Sequence, residues 1–440
     1  MATTAWKAAT WRPVVRDAQS AATVRDTAVD VLSRLRDPDI VEDTARTTPP
    51  HGRPRWTSHS TAQGTCGLAL AFGHLDRCLP GEGWDSVAHH HLARAVATTA
   101  REPVAGLGLF AGLAGMAFTT AYLANDGERY RTLLGDIDDN LYARIPPRLP
   151  TLGRQGLAFG AFDLVSGWTG VAAYLHSRPP GPSRDRALST LLGRLVDLCR
   201  DVGGIPAWHT PHALIADEGM RERYPSAVAN CGLAHGITGP LALLSLAHAD
   251  GPAVAGHTEA IRRAASWLAA QHVDTARGGA YPAVVALGEG APAPSSARDA
   301  WCYGSPGVAR ALWLAGTALD DPGLTDAATA ALRAVLGRPV PWRRIDSPGF
   351  CHGVAGLLQV TLRFAAESGD EEIGAGARRL VGQLLGAYRP RSRFGYRSIE
   401  SDGTREDRIG LLEGVPGIAL ALLAAATPEP PAWDRLFLLS

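Results

Sequence analysis

The chain has 440 residues, 46% of them hydrophobic, and its 43 Lys and Arg are balanced by 43 Asp and Glu. That is ample for a large core, and too long for one ordinary globular domain unless the architecture is a closed repeat. Zero formal charge without a basic stripe speaks against nucleic acid as a partner; Lys7 is the only lysine, so the arginine-rich, alanine-rich composition reads as coding bias.

Taken from the start, residues 1–16 mix Trp6, Lys7, Trp11 and Arg12 with no apolar centre, so no signal peptide is expected. No apolar run approaches the roughly 18 residues that a membrane span needs. Six cysteines in so long a chain do not make a disulfide framework. The expected compartment is the cytoplasm.

One pattern then recurs. Gly-x-x-Gly followed by an apolar run stands at Gly64/Gly67, Gly112/Gly115, Gly167/Gly170, Gly236/Gly239, Gly304/Gly307, Gly353/Gly356 and Gly414/Gly417. A single copy says little, but seven, each opening a similar segment, define a repeat. The runs that follow are apolar nearly all round, as at 241–247, 308–314 (interrupted by Arg310) and 418–426, which predicts buried helices. The segments before them carry one apolar face. In 257–272, Ile261, Ala264, Ala265 and Leu268 align, and Arg262, Arg263 and Ser266 point away. Similar amphipathic helices fit 23–35, 86–100, 184–199, 321–336 and 371–388, with 128–141 a weaker case. The prediction is an all-α fold: seven inner and seven outer helices in two concentric layers, an α/α toroid. The rival is an open solenoid of helix pairs. The apolar last repeat argues for closure, since an open array wants polar ends.

Residues 1–440 are read as one such domain with loop insertions near 203–230 and 277–298. Both are broken by Pro and Gly, and long loops of this kind often serve function. They are expected over one mouth of the ring; surface loops of no function are the alternative. Residues 51–60 read as a further loop.

Equivalent positions in repeats point to equivalent places in space. One residue before the first glycine stand Ser166, His235, Tyr303, His352 and Glu413. Two before it stand Cys302 and Cys351, in adjacent repeats. Two thiolates and an imidazole are the ligand types that select zinc, and three protein ligands leave a fourth tetrahedral position for catalysis. The expected metal ligands are therefore Cys302, Cys351 and His352. Cys231, four residues before His235, is a possible competing ligand but reads as a small core residue. Cys66, Cys78 and Cys199 read as filler, and 89–91, three histidines, as a polar stretch of an outer helix.

The segments Ala300-Trp301-Cys302-Tyr303-Gly304, Cys351-His352-Gly353 and Gly232-Leu233-Ala234-His235-Gly236 resemble the signatures of lanthionine synthetase C-like proteins, the cyclases of lanthipeptide biosynthesis. The resemblance spans essentially the whole chain and its seven glycine motifs. It implies a toroid that holds Zn2+ through Cys302, Cys351 and His352 and adds peptide cysteine thiols to dehydroalanine or dehydrobutyrine. It implies His235 as general acid to the enolate carbon or as base to the thiol. Asp163 would orient that ring, unless it only caps a helix near Gly167. Arg298 would steady the enolate oxygen or fix its loop, unless it merely pairs with Asp299. Tyr303 would donate a hydrogen bond, unless it merely packs. The implied substrate is a dehydrated precursor peptide, with a separate dehydratase and a peptide transporter as further partners. The two insertions match nothing in the family pattern. Two rival functions keep the site: addition of a small thiol such as glutathione to dehydroamino acids, or a non-catalytic peptide-binding toroid whose zinc only closes the ring.

Overall fold

The computed structural model describes residues 11–47, 56–125, 127–146, 152, 155–251, 254–276, 278–288, 293–400 and 403–440. The expectations for 1–10, and for 51–55 of the 51–60 loop, lie outside the described residues. Each of the seven glycine motifs opens a helix: Thr65–Cys78, Leu113–Leu123, Trp168–Ser177, Thr238–Ala249, Ser305–Leu319, Val354–Ser368 and Val415–Ala426. These helices bury most of their circumference, and the last is buried from end to end. The amphipathic partners are Ala18–Ser33, Trp84–Thr99, Arg131–Arg144, Pro182–Leu198, His257–Ala269, Pro322–Gly337 and Glu371–Ala387. His257–Ala269 buries Ile261, Ala264, Ala265 and Leu268, the face its spacing predicts.

The second glycine of the motif has a steric cause. The carbonyl six residues upstream crosses its Cα: Thr61 over Gly67, Leu109 over Gly115, Trp301 over Gly307 and Leu411 over Gly417. A Cβ at any of these would overlap that oxygen, so only glycine lets loop and helix close together. Gly304 adds a second demand, since its φ of +99° is one that side chains rarely tolerate.

The chain divides into two compact units, residues 1–139 with 345–436 and residues 140–344 with 437–440. In the first, the inner helices Val354–Ser368, Val415–Ala426, Thr65–Cys78 and Leu113–Leu123 lie side by side in that order. The N-terminal outer helix Ala18–Ser33 packs on the last inner helix, Val415–Ala426. Val15 N–H donates to the Ala425 carbonyl (3.0 Å), and the buried Trp11 indole to that of Ala424 (2.8 Å). First and last repeats therefore touch, which an open array of repeats does not provide. A buried ion pair fastens the same region. Arg363 grips both oxygens of Asp434 at 2.7 Å, Gln359 adds a bond at 2.7 Å, and Trp11 stacks on the guanidinium.

In the second unit, Trp168–Ser177, Thr238–Ala249 and Ser305–Leu319 are neighbours. Arg310, the one polar break in its apolar run, is 1% exposed and donates twice to the Leu439 carbonyl, at 2.9 and 2.6 Å. The two insertions meet here. Val228–Asn230 pairs antiparallel with Val284–Ala286, and Val273–Thr275 forms a hairpin with Gly278–Ala280. A short helix, Glu218–Arg223, is capped by Asp217, whose carboxylate accepts from Met220 N–H. The insertions thus hold strands of three residues where only loops were expected. One further reading is corrected. The histidines of 89–91 are not a uniformly polar stretch: His91 is fully buried, its Nε2 is 2.9 Å from the Leu35 carbonyl, and its ring stacks on Phe72.

Candidate functional site

Within each unit, the turns that precede the inner helices are tied to one another through the backbone two residues before the first glycine, three in the case of Leu164. Cys351 N–H donates to Leu412 O (2.8 Å), Leu412 to Ala62 (3.2 Å) and Ala62 to Phe110 (3.0 Å). In the other unit, Ala234 N–H donates to Cys302 O (3.3 Å) and Leu164 N–H to Ala234 O (3.2 Å). Equal offset in sequence therefore means adjacent backbone in space. Cys302 and Cys351 stand at this same offset, each within its own unit.

Cys302 is 6% exposed and Cys351 and His352 are half-buried. Each offers one ligand atom, and these three atoms lie within 4.8 Å of one another. Donors around one tetrahedral zinc stand about 3.5 Å apart, given Zn–S near 2.3 Å and Zn–N near 2.0 Å. The donor set, two thiolates and an imidazole, fits that ion in chemistry.

His235 is held by Asp163. The carboxylate is 1% exposed; its Oδ2 lies 2.5 Å from His235 Nδ1. Its Oδ1 accepts from Ser166 N–H (2.7 Å) and Gly167 N–H (2.9 Å). One Asp163 oxygen thus caps the turn before Trp168–Ser177, and the other meets the His235 ring. Because a carboxylate only accepts, Nδ1 must carry the proton, and Nε2 is left as the exchangeable site. The His235 side chain is 39% exposed, so that nitrogen has access to a ligand.

Tyr303 stands beside it, ring centroids 6.2 Å apart, and its hydroxyl accepts from Asn230 Nδ2 at 3.3 Å. Arg298 is exposed, and Asp299 does not pair with it: that buried carboxylate binds Arg338 at 2.5 Å. His235, Asp163, Arg298 and Tyr303 all line one cavity of about 920 Å3. Its outer walls come from the insertions: Met220, Arg223 and Tyr224 on one side and residues 295–298 on the other. Phe159, Met220, Tyr224 and Ala283 pack against a small core of Ile215, Val228 and Val284, which stiffens that wall.

Sequence reasoning missed Asn230. It is fully buried, accepts Gly232 N–H on its side chain (2.9 Å) and Ile237 N–H on its backbone (3.0 Å), and so sets the turn that presents His235. The signal was available: Asn230 stands six residues before Gly236, the offset of Arg298 before Gly304 and Ser347 before Gly353. Cys231 is fully buried and burial pushes its thiol up, as expected of a core cysteine. Glu413 accepts from Gln63 at 3.3 Å, and its carbonyl accepts from Ser398 at 2.8 Å, as a hydrogen-bonded turn residue does.

These features define a class. Residues 55–438 match the family model of lanthionine synthetase C-like protein, and the chain belongs to that family. Among its relatives is the nisin biosynthesis protein NisC of Lactococcus lactis subsp. lactis, 24% identical over 319 residues, which cover 71% of this chain and 72% of that one. A solved structure of nisin cyclase matches with a TM-score of 0.74 at 20% identity, over 91% of this chain and 96% of the other. The fold is thus the α/α toroid. No helix among the described residues is long and apolar enough to cross a membrane.

Proposed function

We propose that this protein is a zinc-dependent lanthipeptide cyclase, forming lanthionine or methyllanthionine rings in a dehydrated precursor peptide. Membership of the family and the likeness to a nisin cyclase support the reaction class. The observation that carries the residue assignment is the Asp163–His235 pair opening into a cavity that Arg298 and Tyr303 also line. The proposal takes residues 1–440 as one cyclase domain acting in the cytoplasm, with a separate dehydratase and a peptide transporter as partners.

The reaction is an isomerisation of the peptide. A cysteine S–H adds across a dehydroamino-acid C=C: sulfur bonds the β-carbon, and a proton reaches the α-carbon. It needs a thiolate before attack and a proton donor after it. Cys302, Cys351 and His352 would hold the zinc, which when bound ionises a thiol of ordinary pKa about 8.5 and fixes its place. Ionisation alone contributes at most ~30-fold at neutral pH, so orientation of the two reacting ends contributes more. With Nδ1 committed to Asp163, Nε2 of His235 takes the thiol proton or delivers one to the α-carbon. Asp163 steadies the positive ring between these two events. Arg298, on the wall of the same cavity, would steady the enolate oxygen.

The test is zinc content together with cyclisation of a dehydrated candidate peptide. Ring formation leaves the mass unchanged, so it is read as loss of alkylatable thiol by mass spectrometry. About one zinc per chain and loss of thiol are expected. Intermolecular thiol adducts without rings would move the assignment to small-thiol addition. A folded, zinc-free sample that works unchanged under strong chelation would end it.

A further inference from the structure

The formal charges of the chain cancel, and many surface arginines have acids beside them: Arg34 meets Asp30, Arg129 meets Asp85, and Arg378 meets Glu371. The cavity departs from this. Arg223, Arg298 and Arg344 all line it and all are exposed. Arg223 Nη2 donates to the Ser295 hydroxyl (3.1 Å) and Arg344 Nη1 to the Ser296 carbonyl (3.1 Å), both neutral partners. Among the described residues none of the three forms an ion pair. Two acids share the cavity, and both are engaged. Asp163 is buried under His235, and Asp217 caps its short helix. Arg344 also has a φ of +56°, uncommon for so bulky a residue, which turns the chain as it leaves Val340–Arg343.

Three arginines lining one cavity bring like charges to one place, and an anion among them would relieve that repulsion. Two are held in place by the 295–296 backbone and side chain, so the forks are ordered before a ligand arrives, which is how arginine recognises carboxylates. The cavity volume lies toward the upper end of the range for small-ligand clefts, so it admits a short stretch of peptide.

We infer that this arginine wall is a carboxylate-binding subsite for the substrate peptide, placing an acidic side chain or the C-terminal carboxylate beside His235. The inference rests on the cyclase reading for the identity of the ligand, but its test does not depend on turnover. Labelled linear peptides that contain Ser and Cys, and so cannot cyclise, are titrated against the full-length protein by fluorescence anisotropy. One carries a single Glu and its isostere carries Gln, each with a free or amidated C-terminus.

The wild-type protein should bind the Glu peptide about 10-fold more tightly than the Gln peptide at low salt, falling below ~3-fold at 0.5 M salt as screening shortens. The double variant Arg223→Gln/Arg344→Gln should bring that ratio near 1 with unchanged circular dichroism. Arg223→Glu/Arg344→Glu should reverse it toward a Lys peptide. A gain of the free acid over the amide assigns the C-terminal carboxylate as source; a gain from Glu alone assigns the side chain. Equal affinity for all four peptides, or a preference that survives the double variant, overturns the inference. Preference without ring formation on the dehydrated Glu peptide would keep the wall and remove the cyclase; rings without preference would do the reverse.

Discussion

Two histidines of this molecule, His74 with a cysteine in reach and His235 with a carboxylate, behave oppositely. His74 lies among the inner helices, fully buried, with Tyr122 Oη 2.8 Å from Nδ1 and Cys78 Sγ 3.6 Å from Nε2; Cys78 in turn meets Thr427 at 3.4 Å. Burial, helped by Arg77, holds His74 down to about 3, and burial pushes the Cys78 thiol up to about 12. Both stay neutral, so a Cys–His contact there does no acid–base chemistry. His235 has a buried carboxylate on one nitrogen and a cavity before the other. Residue type is the same in both places. A charged partner and access separate a fastener from an acid–base group.

The largest test of that contrast compares two cysteines. Cys302→Ala should remove the zinc and lower cyclisation by roughly 10^3-fold or more, with the helical circular dichroism kept. Cys78→Ala should leave turnover alone and cost about 1 kcal/mol of stability, read by denaturant titration. If Cys302→Ala abolishes folding instead, the metal is structural and the binding-module reading gains.

The histidines come next. His235→Ala should lower kcat by about 10^2- to 10^3-fold with little effect on unfolding. Asp163→Asn should cost roughly 10- to 100-fold, because the ring loses its tautomer, and also about 1 kcal/mol of stability, because the turn loses its cap. His74→Gln should reverse the pattern, keeping turnover and losing stability.

The same residue sets a pH dependence. His74 binds its proton more weakly folded than unfolded, so its contribution is whole above the unfolded pKa near 6.5 and is lost as pH falls toward about 3. Stability should decline over that window, by an amount on the order of a few kcal/mol, and the melting temperature with it. The decline should be shallower in His74→Gln.

The helices were legible because glycine and apolar runs are local signals. Each of the seven motifs opens an inner helix, and the outer helices fall within a few residues of their predicted bounds, as Trp84–Thr99 does for 86–100. The pairing of Val228–Asn230 with Val284–Ala286 was not legible. Strands of three residues give no periodicity, and partners more than fifty residues apart are chosen by tertiary packing. His91 escaped for a related reason: its neighbours His89 and His90 are exposed, and only its place on the helix, above Phe72, buries it. Within the site, Cys302 and Cys351 stand at equal offsets from their glycines, a signal the sequence carries. Arg223 and Arg344 have no such offset: Arg223 reaches the cavity through a folded insertion, and Arg344 from outside both insertions, at the end of Val340–Arg343.

The smallest expected effect belongs to Tyr303. Its hydroxyl accepts a long bond, 3.3 Å from Asn230, and its ring packs over Gly232, where any Cβ would meet it. Tyr303→Phe keeps the ring and loses that weak bond, so a loss under about 5-fold in kcat/KM is expected, the equivalent of about 1 kcal/mol or less. Asn230→Ala should cost more, because the side-chain acceptor for Gly232 N–H goes with it and the His235 turn loosens. If the two act through one hydrogen bond, their effects will not add in the double variant. A 100-fold loss in Tyr303→Phe alone would place the hydroxyl in proton transfer. The site would then have two acid–base groups at the same offset from neighbouring motif glycines, and His235 would no longer be the sole counterpart to His74.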